Sequence, residues 1–171
     1  MDTFNKYRKN IEIDLTEIIS LMKSDPKIDS KNIFAIGFSN GGFWATFLAG
    51  KGLVTAGSSH YGVWKACFGR GMCKHSYPMD YLSSGSNPLL ALHGAKDGTQ
   101  RIKFYEKAWN KIKNTPKIEQ HVYKNGGHVW DCFPDIARLK KICNKKFDGS
   151  SREITDDAFR KTLAFFKKHT K

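Results

Sequence analysis

No stretch of eighteen consecutive apolar residues occurs in this 171-residue chain, so a membrane-spanning helix is not expected. The opening residues, Met1 to Lys6, lack the apolar core of a secretory signal. Acidic residues are scarce: 16 Asp and Glu stand against 29 Lys and Arg, a formal net charge of +13. Such an excess suits an anionic partner when it is concentrated in a stripe or on one helix. Here the lysines are scattered, and only Lys140-Lys141, Lys145-Lys146 and Lys167-Lys168 form doublets. There is no zinc-finger spacing, RNP-like aromatic motif or continuous basic helix. The charge therefore reads as a solvated surface, and no nucleic-acid partner is expected. Cysteine is limited to Cys67, Cys73, Cys132 and Cys143, with no C-x-x-C pair, which argues against zinc. The four fall into two sequence-local pairs. Cys67–Cys73 and Cys132–Cys143 disulfides in an oxidising compartment, and four reduced thiols in a cytoplasmic protein, both fit. The compartment, cytoplasmic or secreted, stays open with them. No internal repeat or low-complexity tract is present.

The most informative stretch runs from Asn32 to Trp44. Ile33 to Ile36 reads as a buried strand and Phe43 to Ala49 as a helix. Between them lies Gly37-Phe38-Ser39-Asn40-Gly41, a G-x-S-x-G pattern. A serine at a sharp strand-to-helix turn has its hydroxyl pushed out at the strand's carboxyl end. Glycines two before and two after it let strand and helix pass closely. The start of the helix brings backbone N–H groups to the place where negative charge develops in acyl transfer.

The rest of the chain alternates strands and helices. Ile11 to Lys23 predicts a helix, with Ile11, Leu15, Ile18, Ile19 and Met22 on one face and a stop before Pro26. Leu53 to Ser58 predicts a strand and leads to His60-Tyr61. Residues 65–87 lack period and are too long for an ordinary connection, so they read as an active-site loop or small cap. Pro88 to His93 predicts a buried strand, Arg101 to Lys113 a helix and Lys117 to Lys124 a strand. A short helix over Pro134 to Cys143 and a last one over Thr155 to His169 follow, the latter with Phe159, Leu163 and Phe166 inward. Strands alternating with helices predict a single α/β domain, a mostly parallel sheet of about four strands flanked by helices.

Such sheets carry their sites outside the carboxyl ends of the strands. Three exit loops there hold Ser39, Asp97 and His128, one each. Serine needs a base, histidine titrates in the right range, and a buried carboxylate fixes the imidazole tautomer. Asp131 and Asp135 are rival acids, but both lie close to His128 in sequence. His60, Tyr61 and Trp130 have two open readings, as substrate-pocket lining or as packing. Trp44 reads as core, and His93 and His121 as structural.

Gly37-Phe38-Ser39-Asn40-Gly41-Gly42, then His93-Gly94-Ala95-Lys96-Asp97, then Gly126-Gly127-His128 resembles an α/β-hydrolase. The chain is similar to the dienelactone hydrolase and polyhydroxybutyrate depolymerase/feruloyl esterase group over residues 10–170. The resemblance implies Ser39 as nucleophile, His128 as base, Asp97 as acid and the Asn40 N–H as one oxyanion donor. It also implies a serine hydrolase of small carboxylic esters, with no metal or organic cofactor. One departure stands out. Only a helix precedes the elbow strand, and no HGGG-like loop is present, so the match is to the C-terminal two-thirds of that fold. The domain, 1–171, is therefore expected to be N-terminally incomplete, and its elbow strand to be an exposed edge prone to self-association. The alternative expectation is a catalytically impaired fragment, or one piece of a split hydrolase acting with a partner chain.

Overall fold

The computed structural model describes residues 3–66, 77–112, 114–115, 117–132 and 151–171, with side chains from residue 7 onward. Helix α1 (Thr3–Ser24) leads to strand β1 (Phe34–Phe38) and helix α2 (Asn40–Gly50). Strand β2 (Ala56–His60), a short 3-10 helix (Pro78–Tyr81) and strand β3 (Leu89–Gly94) follow. Helix α3 (Ile102–Ile112), strand β4 (Ile118–Tyr123) and helix α4 (Arg152–Lys168) complete the order. The four strands are parallel and adjacent in sequence order, β1-β2-β3-β4. The expected α/β class with a four-stranded sheet is therefore what forms.

Alternation along the strands divides the core into two layers. Leu89 of β3 packs with Phe47 and Leu48 of α2 and Ile19 of α1, and Ala91 packs with Tyr105 and Ala108 of α3. Leu90 and Leu92 face the other way, toward Ala158 and Phe165 of α4. Strand β3 is buried along its whole length, which explains its unbroken apolar run.

Two expected helix faces are rotated. In α1, Ile19 is buried with Leu15 and Met22 packed beside it, whereas Ile18 is 51% exposed. In α4 the inward residues are Ala158, Thr162 and Phe165, not Phe159 and Leu163, which are 38% and 59% exposed. Small Ala158 and Thr162 allow close approach to the sheet, and Thr162 meets polar partners there: its Oγ1 lies 3.0 Å from Ser58 Oγ and 2.9 Å from His60 Nε2. Phe159 sits beside Phe38 near the β1 edge, and Phe166 stacks on Phe34 at 4.7 Å. Trp44, expected as core, is half-buried, edge-on to Phe43 and Phe47. The short helix expected over 134–143 lies outside the described residues, as do Cys67, Cys73 and Cys143. So do residues 67–76 of the insertion expected at 65–87, whose described remainder includes the 3-10 helix. Cys132 is disulfide-bonded.

Candidate active site

Ser39 lies between β1 and α2 with φ 51° and ψ −115°, in the left-handed half of backbone space that a side chain rarely adopts. Three backbone bonds hold the turn. The Ser39 N–H donates to His60 O at 3.0 Å, and Ser39 O accepts from Gly42 N at 3.0 Å and Val63 N at 3.1 Å. Two glycines make the turn sterically possible. A Cβ on Gly37 would stand 2.0 Å from Gly41 O, and one on Gly42 would stand 2.7 Å from Gly62 Cα. Gly41 is different: a Cβ there meets nothing within 4 Å. The close passage expected of both motif glycines thus falls to Gly37 and Gly42.

Asp97 and His128 reach Ser39 because the exit loops of β3 and β4 are tied together. Ala95 N donates to Tyr123 O at 2.9 Å and Lys96 N to Gly126 O at 2.9 Å. The loops cross at Gly94, where a Cβ would lie 2.4 Å from Gly126 O. Asp97 is buried. Its Oδ1 accepts from Thr99 N at 2.8 Å and Gln100 N at 2.7 Å, leaving Oδ2 for His128 Nδ1 at 2.8 Å. His128 Nε2 lies 2.9 Å from Ser39 Oγ. With a carboxylate as acceptor at Nδ1, that nitrogen carries the proton and Nε2 presents a lone pair to the serine hydroxyl. Asn40 opens α2 directly after Ser39 and is solvent-exposed.

His60, Tyr61 and Trp130 are buried at 0%, 3% and 0% exposure, so packing is the reading their burial supports. They form an aromatic cluster behind the imidazole. Tyr61 is 5.0 Å from His128 and 4.7 Å from Trp130, ring centroid to centroid, and His60 is 6.1 Å from Trp130. Burial pushes the His60 imidazole down to about 4. His93 donates from Nε2 to Gln100 O at 2.8 Å and stacks on Tyr105, and burial pushes it down to about 4 as well. Asp131, a rival acid in the sequence, accepts the Tyr61 hydroxyl at 2.6 Å.

Sequence reasoning missed Gln100 and Thr162. Gln100 Oε1 accepts from Trp64 N at 3.2 Å and Lys65 N at 3.3 Å, tying the β2 exit loop to the Asp97 turn. Neither residue carries a pattern that marks it, since each acts through contacts distant in sequence. A cavity of about 550 Å³ between α1 and α2, lined by Glu12, Ile13, Phe47 and Leu53 among others, includes none of the three residues at the site. Among the described residues no helix is long and apolar enough to cross a membrane, and no cluster of three or more His, Cys, Asp or Glu is placed to hold a metal ion.

A parallel sheet with a strained serine after one strand, and a carboxylate and an imidazole after two others, is the architecture of the α/β hydrolases. The sequence profile of the dienelactone hydrolase family matches residues 1–170, and the chain belongs to that family. No curated protein matches the sequence significantly. Among solved structures, a Klebsiella pneumoniae protein assigned as a dienelactone hydrolase superposes with TM-score 0.70 at 21% identity, over 92% of this chain and 60% of its own. The α/β hydrolase MGS-M1 from a Medee basin deep-sea metagenome library gives TM-score 0.71 at 18% identity, over 93% and 64%. A dienelactone hydrolase-like promiscuous phosphotriesterase from metagenomic libraries gives TM-score 0.63 at 16% identity, over 98% and 65%. At these identities the likeness is one of fold. This chain spans 60 to 65% of the length of these three relatives.

Proposed function

We propose that the protein is a serine hydrolase acting on carboxylic esters of small molecules, with Ser39 as nucleophile, His128 as general base and Asp97 as the acid of the triad. The observation that carries this reading is the unbroken hydrogen-bonded chain from Ser39 Oγ through His128 to Asp97, at 2.9 and 2.8 Å. Family membership supports hydrolysis as the reaction class. Ser39 Oγ attacks the acyl carbon as its proton moves to His128 Nε2. Asp97 stabilises the imidazolium through Nδ1 without taking its proton. The Asn40 N–H, at the start of α2, donates to the oxyanion that forms. His128 then protonates the departing alkoxide, which leaves as the alcohol with Ser39 acylated. Water attacks the acyl-enzyme with His128 again as base, which releases the acid and restores Ser39.

The test is labelling by a fluorophosphonate, which phosphonylates an activated serine. Labelling of the folded protein that disappears in Ser39→Ala is expected. Folded protein that does not react counts against the reading. A second reading, one piece of a split enzyme, is favoured by the edge of β1 that no strand among the described residues pairs. On that reading labelling appears only when a further polypeptide is added. Full activity of the isolated chain removes it.

A further inference from the structure

Tyr61 directly follows β2 and, like Ser39, is a non-glycine residue with positive φ, 37°. Its N–H donates to Leu92 O at 2.8 Å, which fixes its backbone against β3. That backbone turns the ring into the loop of residues 126–132. There its edge meets the His128 imidazole at 5.0 Å and 64°, and its hydroxyl donates to Asp131 Oδ1 at 2.6 Å. The same loop has its own strained residue, Val129, at φ 58°, between His128 and Trp130. Trp130 is fully buried, and its carbonyl accepts from Ser151 N at 2.8 Å and Thr155 Oγ1 at 3.1 Å, at the head of α4. The histidine loop is thus anchored at α4, and strained non-glycine backbone persists only where its surroundings over-determine it.

Asp97 and Ser39 bond the imidazole at Nδ1 and Nε2. Two bonds, one at each nitrogen, leave rotation of the ring about the line joining them unrestrained by hydrogen bonding. The Tyr61 ring closes that freedom from the side, and the phenol–carboxylate bond to Asp131 holds the Tyr61 ring in turn. A bond to a charged acceptor is stronger than one between neutral groups. Burial and the Asp131 carboxylate both push the phenol up, so it remains a donor at working pH.

We infer that Tyr61 and Asp131 form a latch that sets the ring plane of His128 for proton transfer from Ser39. This rests on the triad reading above. Tyr61 and Asp131 are positioning residues: they act through the imidazole, so their loss slows chemistry and leaves substrate binding in place. The carboxylate of Asp131 serves as a hydrogen-bond acceptor, so an amide oxygen at the same place suffices.

The test uses the full chain with Tyr61→Phe, Asp131→Ala, Asp131→Asn and the Tyr61→Phe/Asp131→Ala pair, each checked for folding by circular dichroism. Misplacement of a reacting group by about 1 Å costs about a hundredfold, so Tyr61→Phe and Asp131→Ala are expected to slow fluorophosphonate labelling by about 10- to 100-fold. With p-nitrophenyl acetate the loss falls on kcat, with KM within about twofold of the parent. Asp131→Asn is expected to label within about threefold of the parent, and the double variant no more slowly than either single one. Labelling of Tyr61→Phe at the parent rate overturns the latch, and so does Asp131→Asn as slow as Asp131→Ala. Where Tyr61→Phe does not fold, the Asn and Ala variants of Asp131 decide the matter. Should the parent itself resist labelling, the triad reading fails, and the latch is read separately from the low-field proton resonance of His128 Nδ1–H. That resonance is expected in the parent and Asp131→Asn and lost to exchange in Asp131→Ala. The same resonance in all three overturns the latch.

Discussion

The carbonyl oxygen of Gly41 lies 2.0 Å from the point a Cβ on Gly37 would occupy, whereas a Cβ on Gly41 itself meets nothing within 4 Å. The two glycines of one G-x-S-x-G pattern thus have different jobs. Gly37 keeps the strand clear of helix backbone that cannot move aside. Gly41 sits in α2 with room to spare and pays only the helix penalty of a missing side chain. Gly37→Ala is expected to destabilise the fold by about 3 kcal/mol or more, the upper range for forcing atoms into a packed site. Gly41→Ala is expected to be neutral or to stabilise by about 0.5–1 kcal/mol. Urea midpoints measure both, and a Gly37→Ala protein as stable as the parent contradicts the steric account.

Substitutions at the imidazole and its carboxylate separate orientation from packing. In Asp97→Asn the remaining Oδ1 still accepts from Thr99 N and Gln100 N, so the turn is retained. The new amide NH₂ faces His128 Nδ1, which must then accept, and the ring proton moves to Nε2. Ser39 loses its acceptor. A fall in kcat of about 10⁴ is expected for Asp97→Asn, and a loss of similar order for His128→Ala. Steady-state ester hydrolysis with thermal melts as control measures both. Activity of Asp97→Asn within tenfold of the parent, on about the scale of a 1.4 kcal/mol effect, rejects the assignment of the acid.

The strand-helix order was legible because β1 and β3 carry apolar runs, β3 being buried along its whole length, while β2 was marked by Val54 and Ala56 around its start and β4 by alternation from Ile118 to Tyr123. The order of Ser39, Asp97 and His128 was legible because each follows its own strand in a parallel sheet, where exit loops share one rim. Helix faces were less so. Apolar spacing in α4 points at Phe159 and Leu163, yet the sheet selects Ala158 and Thr162, because close approach and the polar group of His60 matter more there than hydrophobicity. The partners that hold the site, Gln100, Asp131 and Thr162, meet it across separations that periodicity does not encode.

Two buried histidines give the fold an acid-sensitive term. His60 and His93 are both held down to about 4 by burial, against about 6.5 in the unfolded chain. Below 6.5 the unfolded state binds protons that the folded state refuses, so stability falls as the pH drops toward 4 and levels off beneath it. Each histidine contributes a slope of up to about 1.4 kcal/mol per pH unit inside that window. Unfolding midpoints in urea between pH 7.5 and 4.5 are expected to show the decline. His60→Gln keeps a hydrogen-bonding group for Thr162 Oγ1 without the titration, and is expected to remove about half of this histidine slope. An unchanged slope places the sensitivity elsewhere.

Among the described residues β1 pairs with β2 alone, and none of them forms a strand along its other side. Ile33 O and Ser39 N bond toward the β2 side, and by alternation Phe34, Ile36 and Phe38 turn their backbone groups outward. Exposed apolar surface lies alongside: Ile36 is 41% exposed, Phe159 38% and Leu163 59%. An open edge with an apolar flank invites pairing with another copy, while the +13 charge opposes it. Repulsion between exposed charges is screened within about 10 Å at 0.1 M salt, whereas edge pairing and apolar contact are not. We therefore expect self-association that rises with protein concentration and, unlike an ion-paired contact, strengthens with salt. Ile36→Lys places a charge on the edge strand, and Leu163→Lys places one on its flank; both are expected to hold the protein monomeric. Sedimentation velocity across protein and salt concentrations measures this. A parent that stays monomeric throughout, or association untouched by both lysines, rejects the β1 edge as the surface involved.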